Sequence, residues 1–104
     1  MEDISVEELR ERLAGDEAPA LIDVRETYEH DEFNIGGRNL PLGEIQRWIE
    51  EVRDLNASEV VLYCRTGNRS GMAAAFMKAA GYSKARNLTG GVVAWQQMET
   101  DSAP

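Results

Sequence analysis

The feature that most constrains the fold of this chain is the regular alternation of short apolar runs with longer helical patterns. Three runs are short, apolar and bounded by polar or turn residues, and each predicts a buried strand: residues 20–24, 60–63 and 85–88. Helical patterns surround and separate these runs, at residues 5–14, 43–55, 70–80 and 92–98. Parallel strands need crossovers of this kind. The sequence therefore predicts an α/β fold with a central parallel sheet and helices on both faces.

A chain of 104 residues is long enough for one compact domain. We expect a single domain over residues 1–104, with a folded core at about residues 5–97 and a frayed tail at residues 98–104. Residues 26–37 are polar and turn-rich, so we interpret His30 within them as a solvated turn residue. Helical spacing favours four side chains as core candidates: Trp48, Met72, Phe76 and Met77.

The charge and the counts of cysteine and histidine exclude several classes of function. The sequence has 11 Lys and Arg residues against 19 Asp and Glu, a net charge of −8, which argues against nucleic acid or an anionic membrane as a partner. With one cysteine and one histidine, no internal disulfide or Cys/His metal cluster can form, and we expect neither metal nor cofactor. No apolar run approaches the ~20 residues of a membrane span, and the acidic start is unlike a signal peptide, so we expect a cytoplasmic protein.

The single cysteine, Cys64, is either a small buried side chain or a nucleophile. It follows the most strand-like run of the chain and precedes a helix, and ligands of open α/β sheets bind at such carboxyl ends of strands. The tight loop turns backbone N–H groups inward, Gly67 allows close approach of an anion, and Arg65 and Arg69 add positive charge. Such surroundings lower the pKa of a thiol from about 8.5 to roughly 3.5–7.5. The sequence thus predicts a nucleophilic Cys64.

Four segments of the chain carry motifs in a fixed order: Leu-Ile-Asp-Val-Arg-Glu at residues 21–26, Asn-Leu-Pro-Leu at 39–42, Cys-Arg-Thr-Gly-Asn-Arg-Ser at 64–70 and Gly-Gly-Val-Val-Ala-Trp at 90–95. Together they resemble the motifs of single-domain rhodaneses, the thiosulfate:cyanide sulfurtransferase family, over about residues 5–97. Each motif is weak by itself, but four in register are highly specific. The resemblance implies a rhodanese-like fold.

The resemblance also implies a reaction and a site. Cys64 would accept a sulfane sulfur from a small anionic donor such as thiosulfate, become a persulfide, and pass the sulfur to cyanide, to a thiol or to a sulfur-relay protein. The loop after it would bind the substrate through six residues: Arg65, Thr66, Gly67, Asn68, Arg69 and Ser70. Asp23 and Arg25, at the end of the first predicted strand, are expected to form a buried pair that braces this loop.

One segment departs from the family pattern. The family commonly has Gly-His-Ile-Pro-Gly-Ala before its second motif, where this chain has Phe-Asn-Ile-Gly-Gly-Arg at residues 33–38, one residue shorter, with Asn34 in place of the His. The segment is distant from Cys64 in sequence, so we expect activity to persist. The surface around the site and the choice of acceptor stay open.

Two other functions remain as alternatives. Related phosphatases and arsenate reductases have five residues between the cysteine and the arginine of the loop, whereas four separate Cys64 from Arg69 here. A smaller ring of amides suits one sulfur atom better than a phosphoryl group, which disfavours a phosphatase. The second alternative is a non-enzymatic binding module that relays sulfur to one protein partner.

Overall fold

The computed structural model of the protein describes residues 2–102, in which five α-helices surround a four-stranded sheet. The strands are β1 (Ala20–Asp23), β2 (Arg38–Asn39), β3 (Val60–Tyr63) and β4 (Ala85–Asn87). The helices are α1 (Val6–Leu13), α2 (Thr27–Glu32), α3 (Ile45–Glu51), α4 (Asn68–Ala79) and α5 (Gly91–Asp101), with short 3-10 helices at Leu42–Glu44 and Arg53–Leu55. All pairings in this part of the chain are parallel, and the strand order is β2-β1-β3-β4.

Both faces of the sheet are covered, as the central strand β3 shows. Val60 and Leu62 pack in one apolar cluster with side chains of α3 and α4, while Val61 and Tyr63 pack in a second cluster with side chains of α1 and α5. Successive side chains of a strand point to opposite faces, so a strand that is apolar throughout needs cover on both. The predicted α/β fold, with a parallel sheet and helices on both faces, is confirmed.

Strand register brings the ends of three strands to one edge of the sheet. Asp23 at the end of β1 lies opposite Tyr63 at the end of β3, and Asn87 at the end of β4 lies opposite Leu62. The residues that follow these strands therefore meet at the carboxyl edge, where ligands of open α/β sheets bind. Cys64 is the first residue after β3, so it stands near the middle of this edge.

The end of the chain differs from the prediction. Helix α5 extends to Asp101, so a frayed tail beginning at residue 98 is wrong for Met98 through Asp101. Met98 is buried in the second apolar cluster, and Ser102, just beyond the helix, accepts a hydrogen bond of 3.0 Å from Arg10. These contacts with the N-terminal part of the chain hold the last turn in helical form. Ala103 and Pro104, also in the predicted tail, lie outside the described residues.

The core prediction is half correct. Trp48 and Met77 are buried as expected, but Met72 and Phe76 are 66% and 40% exposed. Helix α4 packs against the sheet through a face of mostly small residues that includes Ala73 and Ala74, which turns Met72 and Phe76 to the outside. Helical spacing alone does not say which face of a helix is buried.

None of the described helices is both long and apolar enough to cross a lipid bilayer, since the longest, α4, has 12 residues.

Candidate active site

The sulfur atom of Cys64 lies inside a ring of hydrogen-bond donors. The backbone N–H groups of Gly67 and Ser70 point at Sγ with N···S distances of 3.1 and 3.4 Å, and the Ser70 hydroxyl lies 3.3 Å from it. Burial raises the pKa of the Cys64 thiol, but the hydrogen bonds from Ser70, from the Gly67 amide and from the Thr66 amide outweigh it, and the pKa is lowered. The ring therefore favours the thiolate, although Cys64 is only 1% exposed.

The loop can curl around the sulfur because Gly67 adopts a left-handed conformation. Its φ of +106° is unfavourable for residues with a side chain, and it stands at the N-cap of α4. Asn68 then begins the helix, so the first amides of α4 complete the ring. Of the other loop residues that the sequence predicted, Thr66 and Asn68 are exposed at the rim, while Ser70 is fully buried beneath the sulfur.

The Gly-Gly motif at the start of α5 holds the loop from behind. The amides of Val92 and Val93 donate to the carbonyl oxygens of Cys64 and Arg65, with distances of 2.9 and 3.0 Å. A Cβ atom on Gly91 would overlap both of these carbonyl groups, and the residue has a φ of +59°. Glycine at this position is what lets the backbone of α5 approach the loop closely enough for those two hydrogen bonds.

Arg69 is held by an acidic residue that the sequence analysis missed. Its guanidinium donates two hydrogen bonds to the Glu29 carboxylate of α2, at 2.8 and 3.0 Å. This contact lowers the pKa of Glu29 to about 2, and Glu29 in turn raises the pKa of Arg69. The positive charge of Arg69 is thus partly neutralised at the site.

Arg65 stands in a different electrostatic setting. It is exposed, and its guanidinium forms no ion pair with the rest of residues 2–102. It lines a cleft between α2 and the start of α5 together with Arg25, Glu29, Glu32, Phe33, Val92, Val93 and Gln96. Arg65 is therefore the loop cation whose charge is least compensated.

The predicted buried pair of Asp23 and Arg25 is present. Asp23 is fully buried and accepts hydrogen bonds from Nε and Nη2 of Arg25, at 2.9 and 2.8 Å, while Arg25 also donates to the Phe33 carbonyl oxygen.

His30 places Nδ1 2.9 Å from Asp23, with 20% of its side chain exposed, so its interpretation as a solvated turn residue is wrong. Residues 27–32 form a helix, α2, which turns the imidazole inward. The pair of Asp23 and Arg25 thus contacts α2 through His30, and Glu29 of the same helix binds Arg69 of the loop.

The shortened segment, residues 33–38, is fixed by Tyr63. The Tyr63 hydroxyl donates to the Gly36 carbonyl oxygen at 2.8 Å and accepts from the Ile35 amide at 3.1 Å. Burial raises the pKa of Tyr63 to about 12, so the hydroxyl keeps its proton and remains a donor at neutral pH. Asn34, which replaces the family's common His, donates through its amide to the His30 carbonyl oxygen.

Residues that sequence reasoning missed share one signal. Glu29 follows β1 and Asn87 ends β4, the two strands that flank β3. Asn87 accepts a hydrogen bond from the Ser70 hydroxyl, with an Oγ···Oδ1 distance of 2.5 Å. The argument that placed Cys64 at a carboxyl edge applies equally to residues after neighbouring strands.

Among residues 2–102 there is no group of three or more His, Cys, Asp or Glu side chains that could hold a metal ion.

The whole set of features, from the strand–loop–helix around Cys64 to the Gly-Gly start of α5, falls within one region of sequence similarity. A sequence-family model described as the rhodanese-like domain matches residues 5–98. The protein belongs to the rhodanese-like domain family. The resemblance inferred from the four motifs is thereby confirmed.

Individual relatives cover this domain to different extents. A sulfurtransferase of Allochromatium vinosum is 36% identical over 94 residues, which are 89% of this chain and 86% of the relative. The probable adenylyltransferase/sulfurtransferase MoeZ of Mycobacterium tuberculosis is 42% identical over 100 residues, and the putative sulfur carrier protein YrkF of Bacillus subtilis is 34% identical over 94. The match with MoeZ includes 94% of this chain, and the match with YrkF includes 89%. The chain spans only 26% of the length of MoeZ and 50% of the length of YrkF.

A solved structure supports the same relationship. The structure of a human single-domain sulfurtransferase superposes with a TM-score of 0.77 at 28% identity, covering 91% of this chain and 95% of the human one.

Proposed function

We propose that this rhodanese-like domain is a sulfurtransferase that moves a sulfane sulfur from thiosulfate or a persulfide donor to cyanide or a thiol, through a persulfide at Cys64. Sulfur transfer in the general sense is supported by the family and by the relatives named sulfurtransferases. One observation carries the finer proposal: Sγ of Cys64 accepts hydrogen bonds from the inward-facing amides of Gly67 and Ser70. Such a ring stabilises a negative charge on sulfur, which both the thiolate and the persulfide carry.

The first half-reaction is a displacement at sulfur. The Cys64 thiolate attacks the outer sulfur of thiosulfate, a sulfur–sulfur bond forms to Sγ, and the bond to the sulfite sulfur breaks. Sulfite leaves with that electron pair, so the persulfide carries the charge that the thiolate brought. Arg65 at the rim supplies positive charge to attract the dianionic donor. The net charge of −8 opposes this attraction only weakly, because distant surface charges are screened beyond about 8 Å at physiological salt.

The second half-reaction returns the enzyme to its starting state. Cyanide or a thiolate attacks the outer sulfur of the persulfide, and the electron pair of the breaking sulfur–sulfur bond remains on Sγ as the thiolate. The ring of amides serves this leaving group as it served the nucleophile. A cysteine that must return to a free thiolate works best where thiols stay reduced, in agreement with the cytoplasmic location expected from the sequence.

A role in a sulfur relay is the second candidate. Relatives of this domain include a putative sulfur carrier protein and a probable adenylyltransferase/sulfurtransferase, in which the matching segment is only part of a longer chain. In a relay the acceptor would be a thiol or another nucleophile on a protein, and the chemistry at Cys64 would be unchanged. Relay and enzyme thus differ in the acceptor and share the persulfide.

Intact mass spectrometry after incubation with thiosulfate tests the persulfide directly. We expect the mass of one added sulfur atom on the wild-type protein, its removal by cyanide, and no addition to Cys64→Ser. Because Cys64 is the only cysteine of the chain, any sulfur bound as a persulfide must be on this residue. Thiosulfate:cyanide turnover retained by Cys64→Ser would end the proposal, provided that its thermal unfolding matches that of the wild type. Turnover of p-nitrophenyl phosphate that depends on Cys64 would favour the phosphatase alternative instead.

A further inference from the structure

The hydroxyl of Ser70 lies between two acceptors and has one proton to give. Its Oγ is 3.3 Å from Sγ of Cys64 and 2.5 Å from Oδ1 of Asn87, and Ser70 is fully buried. A serine hydroxyl donates a single hydrogen bond, so it serves one of these acceptors at a time. We propose that Asn87 is a positioning residue that sets the balance between thiol and thiolate at Cys64 by competing for the Ser70 proton.

The place of Asn87 in the fold suits this role. It is the last residue of β4, opposite Leu62 of β3, and its backbone oxygen accepts a hydrogen bond of 3.0 Å from the Ile4 amide. Its side-chain nitrogen lies 3.6 and 3.5 Å from where Cβ atoms on Gly67 and Gly71 would stand. The amide of Asn87 therefore lies close to the backbone of Gly67 and Gly71, where its oxygen accepts the hydrogen bond from Ser70.

The competition has a definite direction. When Cys64 is a neutral thiol, its S–H can donate to Oγ of Ser70 and the Ser70 hydroxyl can donate to Oδ1 of Asn87. Both donors then have an acceptor, and Asn87 keeps its hydrogen bond. When Cys64 is a thiolate, the hydroxyl turns to Sγ and Asn87 loses its donor. Asn87 thus favours the thiol over the thiolate, whereas the amides of Gly67 and Ser70 favour the thiolate throughout.

The same competition would assist sulfur loading, and this step rests on the proposed function. Once a persulfide has formed, the negative charge lies on the outer sulfur and Sγ no longer needs the Ser70 proton. The hydroxyl can then return to Asn87, which stabilises the loaded state relative to the free thiolate. No proton leaves the protein in this exchange, because the hydroxyl only rotates.

Charged and titratable groups around the thiol come from several elements, and none of them is substituted in the Asn87 variants. They are Arg65 in the loop, Arg69 at the start of α4, Glu29 and His30 on α2, and Asp23 with Arg25 at the end of β1. Asn87→Ala therefore tests the hydrogen bond of Ser70 without changing the charges around the thiol, whereas Asn87→Asp also adds one negative charge.

The pH dependence of alkylation by iodoacetamide tests the inference, since Cys64 is the only thiol. Asn87→Ala should lower the pH midpoint of alkylation by roughly half a unit or more, because Ser70 then donates to Sγ without competition. Asn87→Asp should raise the midpoint by about one unit or more, because a carboxylate holds the proton and adds negative charge near the thiolate. Asn56→Ala, an exposed change beyond the opposite end of β3, is the control and should leave the midpoint unchanged.

A double-variant comparison separates competition from general disturbance. In a Ser70→Ala background the Asn87→Ala shift should vanish, because the shared proton is gone. An equal shift in both backgrounds, an upward shift, or none in the Ser70 protein would overturn the inference. If Asn87→Ala unfolds, Asn87→Leu, which has the same branching and the same number of side-chain heavy atoms but no acceptor, takes its place. Alkylation needs no sulfur donor, so failure of thiosulfate loading with the expected midpoints would count against the proposed function alone.

Discussion

Glu29 and Arg69, 40 residues apart in sequence, are joined side by side by two hydrogen bonds of 2.8 and 3.0 Å. The pair links α2 to the first turn of α4 and so joins the loop after Cys64 to a helix from another part of the chain. It leaves the two loop arginines in different electrostatic settings, since Arg69 is paired and Arg65 makes no ion pair within residues 2–102. We therefore expect changes at this pair to affect both the charge near Cys64 and the stability of the fold.

Loss of either loop arginine should harm the use of anionic donors. Each substitution removes one positive charge: Arg65→Ala removes an unpaired cation at the rim, and Arg69→Ala leaves the Glu29 carboxylate without its partner. We expect kcat/KM for thiosulfate to fall about fivefold in each variant, as the loss of one interaction of about 1 kcal/mol would give. Steady-state assays at low ionic strength measure both values.

The double variant Glu29→Gln/Arg69→Ala is the control for this interpretation. It removes the exposed negative charge and should recover part of the kcat/KM lost in Arg69→Ala. No recovery would mean that the arginine acts through the shape of the loop and not through charge. Unchanged kcat/KM in both single arginine variants would show that neither charge is used.

Acid should weaken the fold through Glu29. The pKa of Glu29 is about 2 in the folded protein, below its usual value of 4.5, because Arg69 stabilises the carboxylate. A carboxylate with a lowered pKa contributes stability above its unfolded pKa, and this stability is lost as the pH falls through the folded value. Glu29→Gln should thus reduce the free energy of unfolding by about 1 kcal/mol at pH 7, and the difference should disappear between pH 4.5 and about 2.

Urea denaturation of Glu29→Gln and wild type at a series of pH values measures that difference. Glu7→Gln is a suitable comparison, because Glu7 is an exposed residue in the first turn of α1, away from this pair. A stability gap between Glu29→Gln and wild type that stays constant down to pH 2 would contradict the assignment to the ion pair.

A methyl group on Gly91 should disrupt the site from behind. The Cβ of Gly91→Ala would overlap the carbonyl groups of Cys64 and Arg65, so the loop must move and the ring around Sγ must open. We expect a loss of about 2 kcal/mol or more in the free energy of unfolding and a large loss of sulfur transfer. Thermal unfolding and turnover of the same preparation measure the two effects.

Gly81→Ala is the matched control for that substitution. Gly81 also has a positive φ, of +105°, but nothing lies within 4 Å of the position of its Cβ. Its substitution should cost only the backbone strain, about 1 kcal/mol, and leave activity intact. Equal effects of the two substitutions would show that overlap with the loop is unimportant.

The missed contacts illustrate where sequence patterns lose their power. His30 and Glu29 lie in a polar stretch that carries no apolar periodicity, so nothing in the stretch predicted a helix. The helix forms because Glu26 and Glu29 make a reciprocal capping box, and because Asp23 contacts its His30 and Arg69 contacts its Glu29. The prediction that Met72 and Phe76 are core residues is wrong for the opposite reason. The helical periodicity is present, but the small side chains of α4 are the ones that pack against the sheet.

The sequence by itself determined the order of β1, β3 and β4 and of every helix except α2, the position of Cys64 after the central strand, and the glycine that allows the loop to curl. These are local properties, because strand length, helix starts and left-handed glycines depend on a few neighbouring residues. Only the tertiary structure decided which side chains from outside the loop lie near the thiol and contact its loop. Glu29 reaches Arg69 and Asn87 reaches Ser70 across neighbouring strands and helices, and those contacts depend on register and helix packing, which no single segment encodes.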